Sequence, residues 1–242
     1  MYSITYKGNN FLKFVLQNYA TMFKGVIFDM DGVLVNNMAV HFRAFAAMAE
    51  RYNLVAEEGK DFTHLNGRGN DDIITALFPA HIIEEKGVAA LADEKEALYR
   101  EIYSPTIAPV SGLREMLASL KSAAIRCAVG SSGPKENVAF VLEKCDIGSY
   151  FDVRISGDMV TRCKPDPEIF LTAASALGLA PEECMVFEDA VSGIAAAKAA
   201  GMKVVALTTT HNLEQLTAAA PNLIINDFSE ITLDDIKSIY EQ

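Results

Sequence analysis

The sequence predicts an α/β protein built around a doubly wound parallel β-sheet. Short apolar runs alternate with longer segments of helical periodicity, which is the order of elements in such sheets. The run 25–28 is apolar throughout, as expected for a central parallel strand that is buried on both faces. At 242 residues the chain is also long enough for one large domain of this kind with a smaller insert. The predicted strands are 25–28, 125–129, 153–156, 184–187, 203–207 and 223–225.

The predicted helices between these strands divide the chain into a core and an insert. Helices of ordinary length, such as the one that Pro167 opens and Gly178 ends, fill the later connections. The connection between the first two strands differs, because it carries helical periodicity and no strand signal, and it is far too long for one crossover. We therefore predict an N-terminal extension at 1–21, a core domain at 22–35 and 107–242, and a smaller helical domain at 36–106.

The charge and the cysteine content exclude several classes of function. The chain has 21 basic and 32 acidic side chains and a net charge of −11, which argues against a nucleic-acid or anionic-membrane partner. The apolar run 11–16 is interrupted by Lys13 and is too short to cross a bilayer. The four cysteines are widely spaced, so we expect free thiols and a reducing cytoplasm. A small-molecule partner is expected, and the chain is expected to be a monomer or a weak homodimer.

Candidate functional residues follow the ends of the predicted strands. Ligands bind at the carboxyl ends of the strands in an open parallel sheet, so these residues should meet at one edge. They comprise four carboxylates, a loop with two serines and one lysine: Asp29, Asp31, Ser131 and Ser132, Lys164, Glu188 and Asp189. Any one of them could be a solvated or capping loop residue, and the prediction of a site depends on the whole set.

The chemistry of this set favours metal-assisted phosphoryl transfer. Two carboxylates separated by one residue suit a divided role, with Asp29 as nucleophile and metal ligand and Asp31 as general acid and base. Clustered carboxylates repel one another unless a cation neutralises them, and their oxygen ligands favour Mg²⁺. Lys164 would add positive charge for the transferring phosphoryl group, and Ser131 would add a hydrogen-bond donor.

The order Asp-x-Asp-Gly, Ser, Lys-Pro and Glu-Asp resembles the haloacid dehalogenase superfamily, subfamily I, with its Rossmann-like core and a helical cap domain inserted after the first strand. The runs 187–194 and 41–44 are similar to its β-phosphoglucomutase-like branch. The resemblance implies an aspartyl-phosphate at Asp29 and Mg²⁺ held by Asp29, the Asp31 carbonyl and Asp189, with Glu188 assisting. The dehalogenases lack the second aspartate, so Asp31 favours phosphoryl transfer over cleavage of a carbon–halogen bond.

The cap loop 65–72 bears on whether water or a sugar hydroxyl accepts the phosphoryl group. β-Phosphoglucomutases have a lysine where this chain has Asn66 and an arginine where it has Asn70. Arg68 comes two residues early, between two glycines that would let it swing into the site. A mutase must grip a second phosphate, so these departures favour hydrolysis of a small phosphorylated metabolite such as a sugar phosphate.

Several interpretations stay open at this point. The residues predicted to bind substrate are Ser132, Asn66, Arg68 and His41. His41 is either a surface histidine of the first cap helix or, as the resemblance implies, coupled to the hinge and to acid–base chemistry. A β-phosphoglucomutase that converts β-glucose 1-phosphate to glucose 6-phosphate is the alternative function. A catalytically silent regulator on the same fold is a remote alternative, because it would not need the intact catalytic set.

Overall fold

One sheet of parallel strands forms the centre of the protein. The computed structural model describes residues 23–54 and 70–240, and within them the strand order is β3-β2-β1-β4-β5-β6. The strands are β1 Gly25–Phe28, β2 Arg126–Gly130, β3 Val153–Ile155, β4 Cys184–Glu188, β5 Lys203–Leu207 and β6 Leu223–Ile225. Their bounds lie within one residue of the predicted runs, so the predicted fold class is confirmed.

Helices flank the sheet and make up most of the segment between β1 and β2. That segment contributes α1 Met38–Arg51, α2 Asn70–Leu77, α3 Ala80–Lys86, α4 Val88–Tyr103 and, directly before β2, α5 Leu113–Ser122. The later helices are α6 Lys135–Lys144, α7 Glu168–Leu177, α8 Val191–Ala199, α9 Leu213–Ala219 and α10 Leu233–Tyr240. Among the described residues, no helix combines the length and the apolar character that crossing a membrane requires.

β1 is buried on both faces, which explains its uninterrupted apolar sequence. The ring of Phe28 stacks on that of Phe187 in β4, with ring centroids 5.1 Å apart. Ile27 points to the opposite face and belongs to the other half of the hydrophobic core. Burial of a large apolar side chain contributes roughly 1.5–3 kcal/mol relative to exposure. The core therefore fixes, from both sides, the strand that leads into Asp29.

β1 lies between β2 and β4, which brings distant parts of the chain to one edge. Phe28 is in register with Val129 of β2 and with Phe187 of β4. The main-chain N–H of Asp29 donates to the carbonyl of Phe187 at 3.0 Å, so these two strand ends stay side by side. The residues that follow β1, β2 and β4 are therefore neighbours, at the edge where ligands bind in open parallel sheets.

The helices α1, α2 and α3 pack around α4. Tyr99 and Leu91 of α4 and Met48 of α1 are fully buried. Arg100 of α4 also reaches α6, where its guanidinium donates to Asn137 Oδ1 at 2.7 Å. The boundaries of a separate cap domain at 36–106 stay a prediction, and the N-terminal extension at 1–21 lies outside the described residues.

Candidate active site

Three carboxylates meet at the carboxyl edge of the sheet. Asp29 follows β1, Glu188 ends β4 and Asp189 comes next, and one oxygen of each lies within 4.8 Å of the others. All three side chains are buried. Carboxylate oxygens gathered in this way are the donors that hard divalent cations prefer. This edge therefore has the donor set for a Mg²⁺ ion.

The ammonium of Lys164 lies between two of these carboxylates. Its Nζ donates to Asp29 Oδ1 at 2.5 Å and to Glu188 Oε1 at 2.6 Å. The side chain is only 8% exposed, which leaves it little contact with water. Burial alone would lower the pKa of Lys164, but the charges of Asp29 and Glu188 outweigh it and raise the pKa above its usual value. Lys164 therefore stays charged and offsets one of the three negative charges.

The positive charge of Lys164 does not balance the negative charges of the three buried carboxylates. Burial raises the pKa of Asp29 to about 7; Lys164 opposes this shift, whereas Glu188 and Asp31 add to it. Burial, together with the charges of Glu188 and Asp29, raises the pKa of Asp189 well above its usual value. When ionised, the three carboxylates and Lys164 carry a net charge of about −2, which one divalent cation would balance. The residues present thus fit a Mg²⁺ ion in charge as well as in donor type.

Two glycines provide the space that the carboxylates occupy. Glu188 Oε2 accepts from the main-chain N–H groups of Asp189 and Ala190, each at 2.7 Å. A Cβ atom at Gly193 on α8 would overlap the other oxygen, Glu188 Oε1. A Cβ atom at Gly32 would overlap Asp189 Oδ2, and the φ of +79° at Gly32 also favours glycine. Both glycines are therefore required by the carboxylates that they face.

We expect Gly193→Ala to weaken Mg²⁺ binding by ~10- to 100-fold, the range found when groups that support metal ligands are changed. The added Cβ displaces Glu188 Oε1 from Lys164 and disturbs the carboxylate set. The same change in a helix interior ordinarily stabilises a protein by about 1 kcal/mol. Thermal melts across a Mg²⁺ titration measure the loss, with Ser192→Ala in the same helical turn as the control. Equal Mg²⁺ affinity in the two variants would contradict this steric role of Gly193.

Asp31 is held by residues of the helical segment. Its Oδ1 accepts from Asn37 Nδ2 at 2.5 Å, and His41 Nε2 lies 3.5 Å from the same oxygen. Burial alone would raise the pKa of Asp31, but the hydrogen bonds from His41 and Asn37 and the charge of Lys95 lower it below its usual value. Asp31 Oδ2 lies 3.6 Å from where a Cβ of Gly133 would stand. Oδ1 of Asp31 is thus held by a hydrogen bond, while Oδ2 faces the loop 131–133, called here the serine–glycine loop.

His41 is enclosed between Asp31 and Lys95, which does not support its interpretation as a surface histidine. Its side chain is 14% exposed, and its ring stacks on that of Tyr99 with centroids 4.1 Å apart. Lys95 Nζ donates to His41 Nδ1 at 2.8 Å. An ammonium can only donate, so Nδ1 is the acceptor, and in the neutral ring the proton is on Nε2. That N–H faces Asp31.

Lys95 and Glu96 form a buried ion pair that reaches α6. Lys95 Nζ donates to Glu96 Oε1 at 2.8 Å, and the two side chains are 2% and 8% exposed. Asn70 Nδ2 donates to the same oxygen at 2.6 Å, and Asn137 Nδ2 of α6 donates to Glu96 Oε2 at 2.7 Å. A buried carboxylate needs such partners to offset the loss of water. The helical segment is thereby joined to α6 beside the serine–glycine loop.

The residues predicted to form the site fall into three groups. Those that the structure brings together are Asp29, Asp31, His41, Lys164, Glu188 and Asp189. At the end of β2, Ser131 is buried and its Oγ accepts from the N–H of Gly133 at 3.0 Å, whereas Ser132 is exposed. Asn66 and Arg68, predicted to bind substrate, lie outside the described residues.

Sequence reasoning missed the buried pair that supports His41. Lys95 and Glu96 look like two ordinary charges on a helix surface. A signal was nevertheless present, because Lys95 lies four residues from both Leu91 and Tyr99 and so shares their face of α4. Those two residues are fully buried. A lysine on an apolar helix face indicates a buried partner.

A family model and several known proteins are similar to this chain. Residues 23–201 match the family model described as haloacid dehalogenase-like hydrolase. The validoxylamine A 7′-phosphate phosphatase of Streptomyces hygroscopicus subsp. limoneus is 34% identical over 212 residues, or 87% of this chain and 96% of the relative. The phosphorylated carbohydrates phosphatase of Thermotoga maritima is 35% identical over 188 residues, which cover 74% of this chain and 82% of the relative.

A phosphomutase and a solved hydrolase structure are also similar. The β-phosphoglucomutase of Bacillus subtilis is 28% identical over 227 residues, which cover 90% of this chain and 96% of the relative. A haloacid dehalogenase hydrolase of family IA, variant 3, from Entamoeba histolytica has a TM-score of 0.81 and 28% identity and covers 90% of this chain and 100% of that one. The chain is therefore an enzyme of the phosphatase and phosphomutase type, and it belongs to the haloacid dehalogenase-like hydrolase family.

Proposed function

We propose that this enzyme hydrolyses small phosphorylated metabolites, sugar phosphates foremost, by Mg²⁺-dependent transfer of the phosphoryl group to Asp29. The observation that carries the proposal is the buried contact of Lys164 Nζ with Asp29 Oδ1 and Glu188 Oε1, beside Asp189. A lysine in this position can bind the oxygens of an incoming phosphoryl group. The relatives named as phosphatases of phosphorylated carbohydrates and of validoxylamine A 7′-phosphate support the class of substrate.

In the first step a carboxylate oxygen of Asp29 attacks phosphorus, and the bond from phosphorus to the ester oxygen breaks. The negative charge of the bound phosphate favours the protonated form of the neighbouring Asp31. Asp31 gives this proton to the leaving oxygen, so that a free alcohol and an aspartyl-phosphate form. Asp31 Oδ2 is the oxygen suited to this transfer. It faces Gly133, whereas Oδ1 is held by Asn37.

In the second step water attacks the phosphorus of the aspartyl-phosphate. Asp31, now ionised, takes a proton from the water, and the bond from phosphorus to the Asp29 oxygen breaks. Inorganic phosphate leaves and the Asp29 carboxylate is regenerated, so one water molecule is consumed for each phosphate released. The hydrogen bonds that lower the pKa of Asp31 keep it ionised after the first step, and the ionised form is the one that can accept this proton.

Asp29, Asp189 and the Asp31 carbonyl would hold the Mg²⁺ ion, with Glu188 beside them. When bound, the ion neutralises negative charge on the phosphoryl oxygens. Ser131 is placed to add a hydrogen bond, because its oxygen accepts from the Gly133 N–H and its own proton is available for a phosphoryl oxygen.

We expect Asp31→Asn to lower kcat by ~10²- to 10⁴-fold, with the larger loss on substrates that have poor leaving groups. An amide can neither protonate the leaving oxygen nor take a proton from water. A p-nitrophenolate ion can leave without being protonated, whereas an alkoxide leaves slowly unless it is protonated. Steady-state rates with p-nitrophenyl phosphate and with an alkyl phosphate therefore measure the effect.

The control for this substitution is Asp93→Asn, at an exposed position of α4. This variant should retain the wild-type rate on both substrates. An equal loss on both substrates in Asp31→Asn would count against proton donation to the leaving group.

The position of Asn70 supports water over a sugar hydroxyl as the acceptor. The resemblance places an arginine of β-phosphoglucomutases here, and Asn70 is uncharged. Its amide donates to Glu96 Oε1 at 2.6 Å, within the polar contacts of Lys95. A second phosphate would therefore find weaker binding here than in a mutase. β-Phosphoglucomutase is the second candidate, favoured by the 28% identical relative from Bacillus subtilis.

The proposal is tested by phosphate release from sugar phosphates, nucleotides and pyrophosphate in the presence of Mg²⁺. We expect release from one or more sugar phosphates, its loss in EDTA and its recovery when Mg²⁺ is restored. A parallel assay supplies β-glucose 1-phosphate with a trace of glucose 1,6-bisphosphate and measures glucose 6-phosphate.

The outcomes separate the candidates. Glucose 6-phosphate without phosphate release would make the enzyme a mutase and overturn hydrolysis. Neither product from any substrate would overturn both activities. Phosphate release that persists unchanged in EDTA would contradict the requirement for a divalent cation.

A further inference from the structure

Three residues in the turn after β5 lie beside Asp189, one of the three buried carboxylates. Thr209, Thr210 and His211 lie between β5 and α9. β5 pairs with β4, with Ala206 in register with Glu188, so this turn begins next to Asp189. The proposed mechanism gives these three residues no role.

Thr209 joins the two segments that would hold the metal ion. Its Oγ1 donates to the main-chain carbonyl of Gly32 at 2.6 Å and lies 3.4 Å from Asp189 Oδ2. Gly32 directly follows Asp31, whose carbonyl is a proposed ligand of the ion. The Thr209 hydroxyl therefore fixes the position of the main chain at Gly32 relative to the Asp189 carboxylate.

His211 holds the main chain of Asp189. Its Nδ1 lies 3.2 Å from the Asp189 carbonyl oxygen. A carbonyl can only accept, so the ring donates through this nitrogen. The side chain of Asp189 is thus approached by Thr209, and its main chain is bound by His211.

Thr210 presents a hydroxyl that forms no well-aligned hydrogen bond among the described residues. Its Oγ1 is buried and lies 3.0 Å from where a Cβ of Gly32 would stand, in the space that Asp189 Oδ2 borders. It is near enough to the Asp189 carboxylate to oppose the rise in the pKa of that group. A buried hydroxyl without a well-aligned partner is unfavourable, because it has lost its hydrogen bonds to water. Magnesium usually keeps several of its water molecules when it binds to proteins. A water molecule on the ion would supply the missing partner.

We propose that Thr209, Thr210 and His211 form a clasp of positioning residues that holds Asp189 and Gly32 around a hydrated divalent cation. The clasp rests on the proposed function, which supplies the ion. Thr209 and His211 fix the protein ligands before the ion arrives, and Thr210 donates to a water molecule bound to it. Preorganised ligands bind more tightly, because less motion is lost on binding.

The test measures the Mg²⁺ affinity of the full chain from thermal melts across a MgCl₂ titration, without substrate. Thr209→Val should raise the apparent Kd for Mg²⁺ about tenfold. Thr209→Ser keeps the hydroxyl and should stay close to wild type. Thr208→Val is the matched control, because the Thr208 hydroxyl donates to Asn226 at 2.8 Å and leaves Asp189 untouched.

Thr210→Val provides a second measurement. It should raise the apparent Kd about fivefold, the equivalent of one ordinary hydrogen bond. It should change the melting temperature little in the absence of Mg²⁺, because it removes a hydroxyl that forms no well-aligned hydrogen bond. If Thr209→Val fails to fold, the Mg²⁺ affinity of Thr210→Val tests the proposal in its place.

Equal Mg²⁺ affinity in Thr209→Val and Thr208→Val would overturn the clasp, as would wild-type affinity in Thr210→Val. If the wild-type chain releases phosphate with Mg²⁺ while the clasp variants bind the ion normally, the clasp is refuted and the proposed function stands. A wild-type chain that neither binds Mg²⁺ nor releases phosphate would refute both.

Discussion

Asp29→Asn is expected to lower kcat by ~10⁴-fold or more while leaving the fold intact, because the amide cannot attack phosphorus to form an aspartyl-phosphate. The protein should stay folded, since the change removes one of three buried carboxylates that repel one another. The amide oxygen can still accept a hydrogen bond from Lys164. Phosphate release measures the loss of turnover, and acid-quenched mass spectrometry measures the phosphorylated enzyme.

Two comparisons make this expectation specific to Asp29. Asp93→Asn has the same change in charge at an exposed position and should turn over at the wild-type rate. The wild type should show a mass increase of one phosphoryl group, and Asp29→Asn should show none. Turnover near wild type in Asp29→Asn, or an unchanged yield of phosphorylated enzyme, would remove Asp29 as the nucleophile.

Lys164→Met is expected to impair both activity and stability. Phosphoryl transfer should fall ~10³-fold, the scale on which a single charged group stabilises this kind of transition state. Without Mg²⁺ the variant should also lose roughly 3–5 kcal/mol of unfolding free energy, because it removes the ammonium that pairs with Asp29 and Glu188 in the interior. Steady-state kinetics and chemical denaturation measure the two effects.

The stability loss in Lys164→Met should depend on pH and on Mg²⁺. Burial already raises the pKa of Asp29 to about 7, and Lys164 opposes this shift, so the variant raises the pKa further. A carboxyl whose folded pKa is raised destabilises the protein increasingly as pH rises toward that pKa. The deficit should therefore be larger at about pH 8 than at about pH 6, and Mg²⁺ should reduce it.

The control for these measurements is Lys198→Met, an exposed lysine of α8 that donates to the carbonyls of Ala219 and Ala220. It should change stability little at either pH. A loss in Lys164→Met that is independent of both pH and Mg²⁺ would show that Lys164 acts through packing and not through its charge.

Most of the core of the site could be predicted from the sequence, for a simple geometric reason. Parallel strands bring their carboxyl ends to one edge, so residues that follow strands become neighbours without any knowledge of their contacts. Asp29 and Glu188 were found in this way, and the structure joins both to Lys164. The apolar strands themselves are recognisable because both of their faces are buried.

The supporting residues could not be predicted in this way, because their contacts depend on tertiary packing. Gly193 looks like an ordinary glycine in an alanine-rich helix, and only the position of Glu188 shows why a Cβ is excluded. Thr209 acts on Gly32, a residue far away in the sequence. Lys95 had a detectable signal in its place on the buried face of α4, but its partner His41 is on another helix.

A growing chain on the ribosome acquires this catalytic centre late. Asp29 is synthesised before β2 and β3, and β4, the strand that lies beside β1 and carries Glu188, follows only after them. Until then one edge of β1 is unpaired and open to association with other chains. That edge is therefore a site of potential aggregation during synthesis. The three carboxylates can come together only after residue 189 has left the ribosome.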